Sequence, residues 1–224
     1  MTVESLSVLN ITGTTYFLFV FPLLGVFVPK KDNHDGIALF WRKAVFSLMR
    51  RRTVDYVNTD SGAFDNQVSL ISILIHIKSA KQLAIVVCHL KAGYAFEKTR
   101  LRQIASLLRE IRVDRHTVQG IVMCGDFNSL PGGDVYPLVR KQFEDVYEKV
   151  HSSRGDKAFT TWKIRDGVEG KLEKKCIEDY IFIDQMQVLS LLDMPPEHSI
   201  GPTRLPSLLY PSDHLSLFCR LWFM

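Results

Sequence analysis

"GIVMCGDFN" (residues 120–128) decides how this chain is read. Ile121, Val122, Met123 and Cys124 form an unbroken apolar run, the pattern of a strand covered on both faces rather than one with a wet side. Gly125 ends the run, and Asp126 and Asn128 follow two residues apart. Such a strand hands a carboxylate and a carboxamide to the loop at its carboxyl end, where sites in layered α/β folds collect.

"QLAIVVCHL" (82–90) repeats the design and ends on His89 and Leu90. "GIALFW" (36–41), "NQVSLISILIHI" (66–77), "CIEDYIFID" (176–184) and "DHLSLFCRLWF" (213–223) read as further strands. "EKTRLRQIASLLREIRVDR" (97–115) places Leu101, Ile104, Leu108 and Ile111 on one face with charges opposite, an amphipathic helix. A second helix follows Pro131. "HSSRGDKAF" (151–159) and "RDGVEGKLEKK" (165–175) read as polar loops. Strands, a helix and more strands predict a mixed α/β domain of layered sheets.

The 224 residues, 46% of them hydrophobic, suit one globular domain or two. A net charge of +4 is compatible with an anionic ligand without being diagnostic of nucleic acid. Cys88, Cys124, Cys176 and Cys219 show no paired or metal-ligand spacing, and three lie in apolar runs. They read as reduced thiols of a reducing, cytoplasmic compartment. "YFLFVFPLLGVFV" (16–28) has 13 apolar residues, fewer than the roughly 20 of a transmembrane helix. No Lys or Arg precedes it, as a signal peptide would require. A core strand is the preferred reading, a membrane anchor the alternative. Asn10-Ile11-Thr12 is a glycosylation sequon that matters only in a secreted chain.

Asp179 is the more informative acid. In "CIEDYIFID" it shares a strand face with Ile177, Ile181 and Ile183. A carboxylate there is costly unless paired, and Asp213-His214 in "YPSDHLSL" offers the partner. A buried Asp that holds an imidazole by one nitrogen leaves the other free to act on a substrate. A purely structural Asp–His pair accounts for these residues equally well. A lone Gly-Asp or a lone His reads more simply as a turn or cap.

Together, "GDFN", the downstream "DY" strand and the terminal "SDH" resemble the signature of the endonuclease/exonuclease/phosphatase superfamily. "DGIALFW", "NQV", "HLKA", "FTTWKIR", "IGPTRLPS" and "YPSDHLSL" narrow the resemblance to one branch of it. The similarity runs from about Val28 to the C-terminus, leaving 1–27 as an unmatched apolar segment beside a 28–224 portion of the domain.

The resemblance implies a two-sheet α/β/β/α sandwich and a Mg²⁺-dependent phosphoric ester hydrolase. By it, Asp126 orients and deprotonates the attacking water, and Asn128 donates to a phosphate oxygen. His214 steadies the phosphate, Asp179 fixes its tautomer, and His89 is a further phosphate contact. Asn66, Lys91, Lys163, Ile164 and Arg165 join the substrate surface, with solvated surface the lesser alternative for Lys163. Asp213 is a metal contact. The branch removes the 2′-phosphate of NADP or NADPH. The alternatives are a 3′ exonuclease on poly(A) RNA and a chain with no catalysis. No membrane partner is implied; the compartment is cytoplasmic, with a mitochondrial form of a longer protein allowed, and the oligomeric state is left open.

Two departures from that pattern stand out. The branch carries an arginine where this chain has Gly93. Its principal metal ligand, a glutamate in a "QE" pair on an early strand, has no counterpart: Glu4 is the only acid before Asp32. The expectation is a fold without its amino-terminal strands and a chain that, as it stands, turns over little or nothing.

Overall fold

The doubly apolar runs lie in the middle of a six-stranded sheet. The computed structural model describes residues 23–32, 35–57, 62–155, 158–167 and 170–224. Glu4, the sequon at Asn10 and the apolar run as far as Pro22 lie outside the described residues. In chain order the strands are β1 (Leu23–Pro29), β2 (Gly36–Arg42), β3 (Phe46–Val57), β4 (Phe64–His76), β5 (Gln82–His89), β6 (Gly120–Asp126), β7 (Glu144–Asp145), β8 (Thr161–Gly167), β9 (Gly170–Cys176), β10 (Asp179–Asp184), β11 (Met186–Leu191) and β12 (Cys219–Phe223). The helices are α1 (Glu97–Arg112), α2 (Val135–Arg140) and α3 (Glu148–Arg154). The large sheet has the order β3-β4-β5-β6-β10-β7. Within it β5 and β6 run parallel, and the other pairs are antiparallel.

Side chains alternate across this sheet, and both faces are covered. Ala84, Val86, Cys88, Ile121, Met123, Tyr180 and Phe182 point to one side. There Ile104, Leu107, Leu108 and Ile111 of α1 close over them with Val135 and Val139 of α2. Leu83, Ile85, Val87, Val122, Cys124, Ile181 and Ile183 point to the other side, against Val26, Ile37, Leu39 and Trp41 of β1–β2 and Met186 and Cys219 of β11–β12. Two-sided burial explains why these strands lack polar alternation. The layering is the expected sandwich; among the described residues its second layer consists of two separate antiparallel pairs. β1 straddles the boundary expected at residue 28. No helix among the described residues is long and apolar enough to cross a membrane.

Several local expectations are corrected. β3 has no counterpart in the sequence reading, because Arg50-Arg51-Arg52 hides its alternation. Arg50 and Arg52 each reach the buried Asp114 carboxylate at 2.6 Å, which ties β3 to the turn after α1. That turn stops the helix at Arg112, short of residue 115. The segment read as a loop at 165–175 is mostly a hairpin, β8–β9, whose outer residues are solvated and therefore polar. Residues 151–154 of the loop expected at 151–159 belong instead to α3. Only Cys219–Phe223 of the last expected strand is strand. The chain breaks at Ile177 and Glu178, so Ile177 packs with the helix-side core, away from Asp179.

Register then sets up the polar residues. β10 pairs Asp179 with Asp126, and β5 pairs His89 with Asp126. The three stand in one row across three adjacent strands, two residues beyond the apolar row of Val87, Cys124 and Ile181 and on the same face. Gly125 lets the row form. Its φ is +142°, and a Cβ there would overlap the Cys88 carbonyl. Gly125→Ala is therefore expected to cost at least about 2 kcal/mol in urea unfolding, through strain and the forced separation of β5 from β6. Gly132→Ala, whose added methyl meets nothing, should stay within about 0.5 kcal/mol of the parent.

Candidate active site

The row is completed by a residue from the far end of the chain. Buried Thr160 accepts the N–H groups of Glu178 and Asp179 on its hydroxyl, and its carbonyl accepts the N–H of Leu215. The Thr161 hydroxyl donates to the Asp213 carbonyl at 2.7 Å. These bonds deliver His214 to the end of β10. Its Nδ1 lies 2.8 Å from Asp179 Oδ2, and its Nε2 lies 4.0 Å from Asp126 Oδ2. From the other side, His89 Nε2 stands 3.7 Å from the same Asp126 oxygen. The Asp126 carboxylate thus sits between two imidazoles, one of them oriented from behind by a second carboxylate.

The loop after β6 folds back on this centre. Asp126 Oδ1 accepts the N–H of Asn128 at 2.7 Å, and Asn128 takes a left-handed φ of 49° that asparagine tolerates. Its Nδ2 donates to the Leu90 carbonyl at 3.1 Å, locking the loops after β5 and β6 together. The two-residue spacing is thus a tight turn in which the Asn128 backbone bonds the Asp126 carboxylate while its side chain bonds the preceding loop.

Electrostatics follow from burial. Asp126 is pushed up to about 7 by its burial and by the neighbouring Asp179 carboxylate. Burial depresses His89 to about 4, helped by the Lys30 ammonium, so this imidazole is neutral at pH 7. Burial also opposes charge on His214, but the hydrogen bond and charge of Asp179 prevail and hold its pKa above the usual imidazole range.

The remaining expected residues divide. Lys163 is buried beside the centre: its Nζ donates to Asp213 Oδ2 at 2.6 Å and lies 3.3 Å from His214 Nε2. Exposed Arg165 stands 3.7 Å from the same Asp213 oxygen. Ile164, between them on β8, falls on the opposite face by strand alternation. Lys91 lies on the loop after β5, with its ammonium over the Phe96 ring. Asn66 is held to Asp32 just after β1, accepting the Asp32 N–H at 2.9 Å and donating to the Asp32 carboxylate. Lys30, buried and paired with Asp35 at 2.5 Å, was missed. Its only trace in the sequence is a Lys-Lys pair closing an apolar run.

A divalent cation fits this centre. Asp126, Asp179 and His214 each offer a ligand atom, all within 4.8 Å of one another. Two crowded, buried carboxylates are the donor chemistry that such a cation neutralises. Asp213, the expected metal contact, gives its carboxylate to Lys163.

No protein-family model matches the chain. Nocturnin from Rattus norvegicus is 33% identical over 207 residues, covering 88% of this chain and 46% of that protein. The chain spans roughly half the length of the curated relatives it matches first. The human nocturnin catalytic domain with bound sulfate aligns with a TM-score of 0.72 at 27% identity, over 90% of this chain and 73% of that one. ANGEL2, a 2′,3′-cyclic phosphatase in complex with adenosine-2′,3′-vanadate, shares the fold with a TM-score of 0.77 at 20% identity, over 89% and 74% of the two chains.

The raised Asp126 pKa has a consequence for stability. The folded state binds this proton more tightly than the unfolded chain does. The carboxylate therefore destabilises the fold fully above about pH 7, and the penalty fades as pH falls toward the ordinary carboxylate range. In metal-free buffer, Asp126→Asn is expected to raise Tm at pH 8 by roughly 3–8 °C. The increment should shrink on going to pH 5, as followed by differential scanning calorimetry.

Proposed function

The chain belongs to the endonuclease/exonuclease/phosphatase superfamily, and from that premise we propose that it hydrolyses the 2′-phosphate of NADP or NADPH. The observation that carries the proposal is the Asp126 carboxylate set between His89 and the Asp179-held His214. Similarity to nocturnin supports the choice of branch.

In this reading Asp126, poised near neutrality, takes a proton from the attacking water. Asn128 fixes the direction of that carboxylate through its backbone N–H and keeps a second side-chain N–H for a phosphate oxygen. His214, held at Nδ1 by Asp179 and with its pKa raised above the usual imidazole range, presents its Nε2–H to the phosphate as negative charge builds. His89 stays neutral and contacts the phosphate without adding charge. Lys163, Arg165, Lys91 and Lys30 make the rim cationic and so favour a dianionic group. The Asp126 and Asp179 carboxylates would hold the magnesium ion, which when bound would supply positive charge against the phosphate oxygens. In that role the two carboxylates would stand in for the glutamate that has no counterpart in this sequence.

The test is phosphate release from NADPH by the 224-residue chain with Mg²⁺. Turnover above background is expected. Asp126→Asn should abolish it, and His214→Ala should lower kcat by about a hundredfold or more. Shortening of oligoadenylate with NADPH left intact would make the substrate RNA. Cleavage of neither would mean that the chain is not an enzyme.

A further inference from the structure

The loop after β5 carries two aromatic rings that the fold leaves in solvent. Tyr94 is 76% exposed and Phe96 44% exposed, in one short 3₁₀ turn. Rings that contribute so little to the core usually sit on pliable loops; this one is pinned. Buried Arg100 donates from one Nη1 to the carbonyls of both Lys91 and Gly93, at 2.8 and 2.7 Å. Gln103 accepts the Lys91 N–H at 3.0 Å. Asn128 holds the Leu90 carbonyl just upstream.

Tyr94 also has a defined place relative to the reacting groups. Lys174 of β9 points its ammonium at the Tyr94 ring, 5.3 Å from the centroid. The same ammonium is fixed by Glu178 at 2.6 and 2.7 Å. The Glu178 carbonyl in turn accepts the N–H of Phe127, the residue between Asp126 and Asn128. The ring is therefore tied through short contacts on both sides to the loop that carries the catalytic carboxylate. One face has a cation over it, and the exposure of the side chain leaves area for a second planar group.

We propose that Tyr94 is a specificity-determining residue whose open face stacks the adenine of the substrate while the attached phosphate occupies the centre at Asp126 and His214. The proposal rests on the nucleotide-hydrolase reading above and adds the group that reads the base. A pre-ordered aromatic ring with one face open to solvent suits the stacking of a planar base, and little rotamer freedom is lost on binding.

Equilibrium dialysis of the 224-residue chain against adenosine 2′-phosphate and ribose 5-phosphate tests this, with Tyr94→Ala and Tyr94→Phe as variants and thermal unfolding as a check on the fold. Tyr94→Ala is expected to weaken adenosine 2′-phosphate roughly tenfold more than ribose 5-phosphate, the range of one lost base stack. Tyr94→Phe should restore binding to within about twofold of the parent. Equal changes for both ligands, or none, would overturn the platform while leaving the phosphate centre in place. A parent chain that binds neither ligand would overturn the nucleotide-hydrolase reading, and the platform with it.

Discussion

Everything in the centre depends on the register of three strands. Pairing of β5, β6 and β10 sets His89, Asp126 and Asp179 side by side on one face. A slip of one residue in any pair would turn a polar group to the other face, among Met123, Phe182 and the helices. The apolar rows before them hold that register, because Val87, Cys124 and Ile181 lie in the core between the layers. The same core that stabilises the sheet thus fixes the spacing of the acids and the imidazole.

A second constraint brings the C-terminal segment to that row. Thr160 bonds both the start of β10 and Leu215, so one buried threonine sets the gap between Asp179 and His214. Further along, the Tyr147 hydroxyl lies 2.8 Å from the carbonyls of Leu192 and Phe218 and accepts the N–H of Phe218, holding the approach to β12. Burial sets the chemistry: it raises Asp126 and depresses His89, while Asp179 holds His214 above the usual imidazole range against the same burial. A site held this way stores two carboxylates in a dry place at a cost to stability.

The sequence made much of this legible, and unevenly so. A carboxylate among isoleucines announced Asp179, because an apolar face does not hold a charge without a partner. The end of a doubly apolar run announced Asp126 and His89, although the shared row is a matter of register that no single strand can reveal. Lys30 stayed hidden because its burial and its pairing with Asp35 arise only in the folded chain. The outer part of the hairpin β8–β9, from Arg165 on, read as a loop because both its faces are largely wet, so the two-residue period has no apolar partner to show it. Asp213 enters as a metal contact only through the family resemblance; its pairing with Lys163 is a contact between distant segments that neither segment shows by itself.

The coupling of Asp179 to His214 is the most direct handle on the whole arrangement. Nitrogen-resolved NMR of the histidine rings, followed through pH in metal-free buffer, reads it. The account requires His214 to be protonated at Nδ1 and to titrate above the ordinary imidazole value of about 6.5, falling toward or below it in Asp179→Asn, while His89 stays neutral down to about 4. A His214 that titrates normally and ignores Asp179→Asn would contradict the assembly of the site.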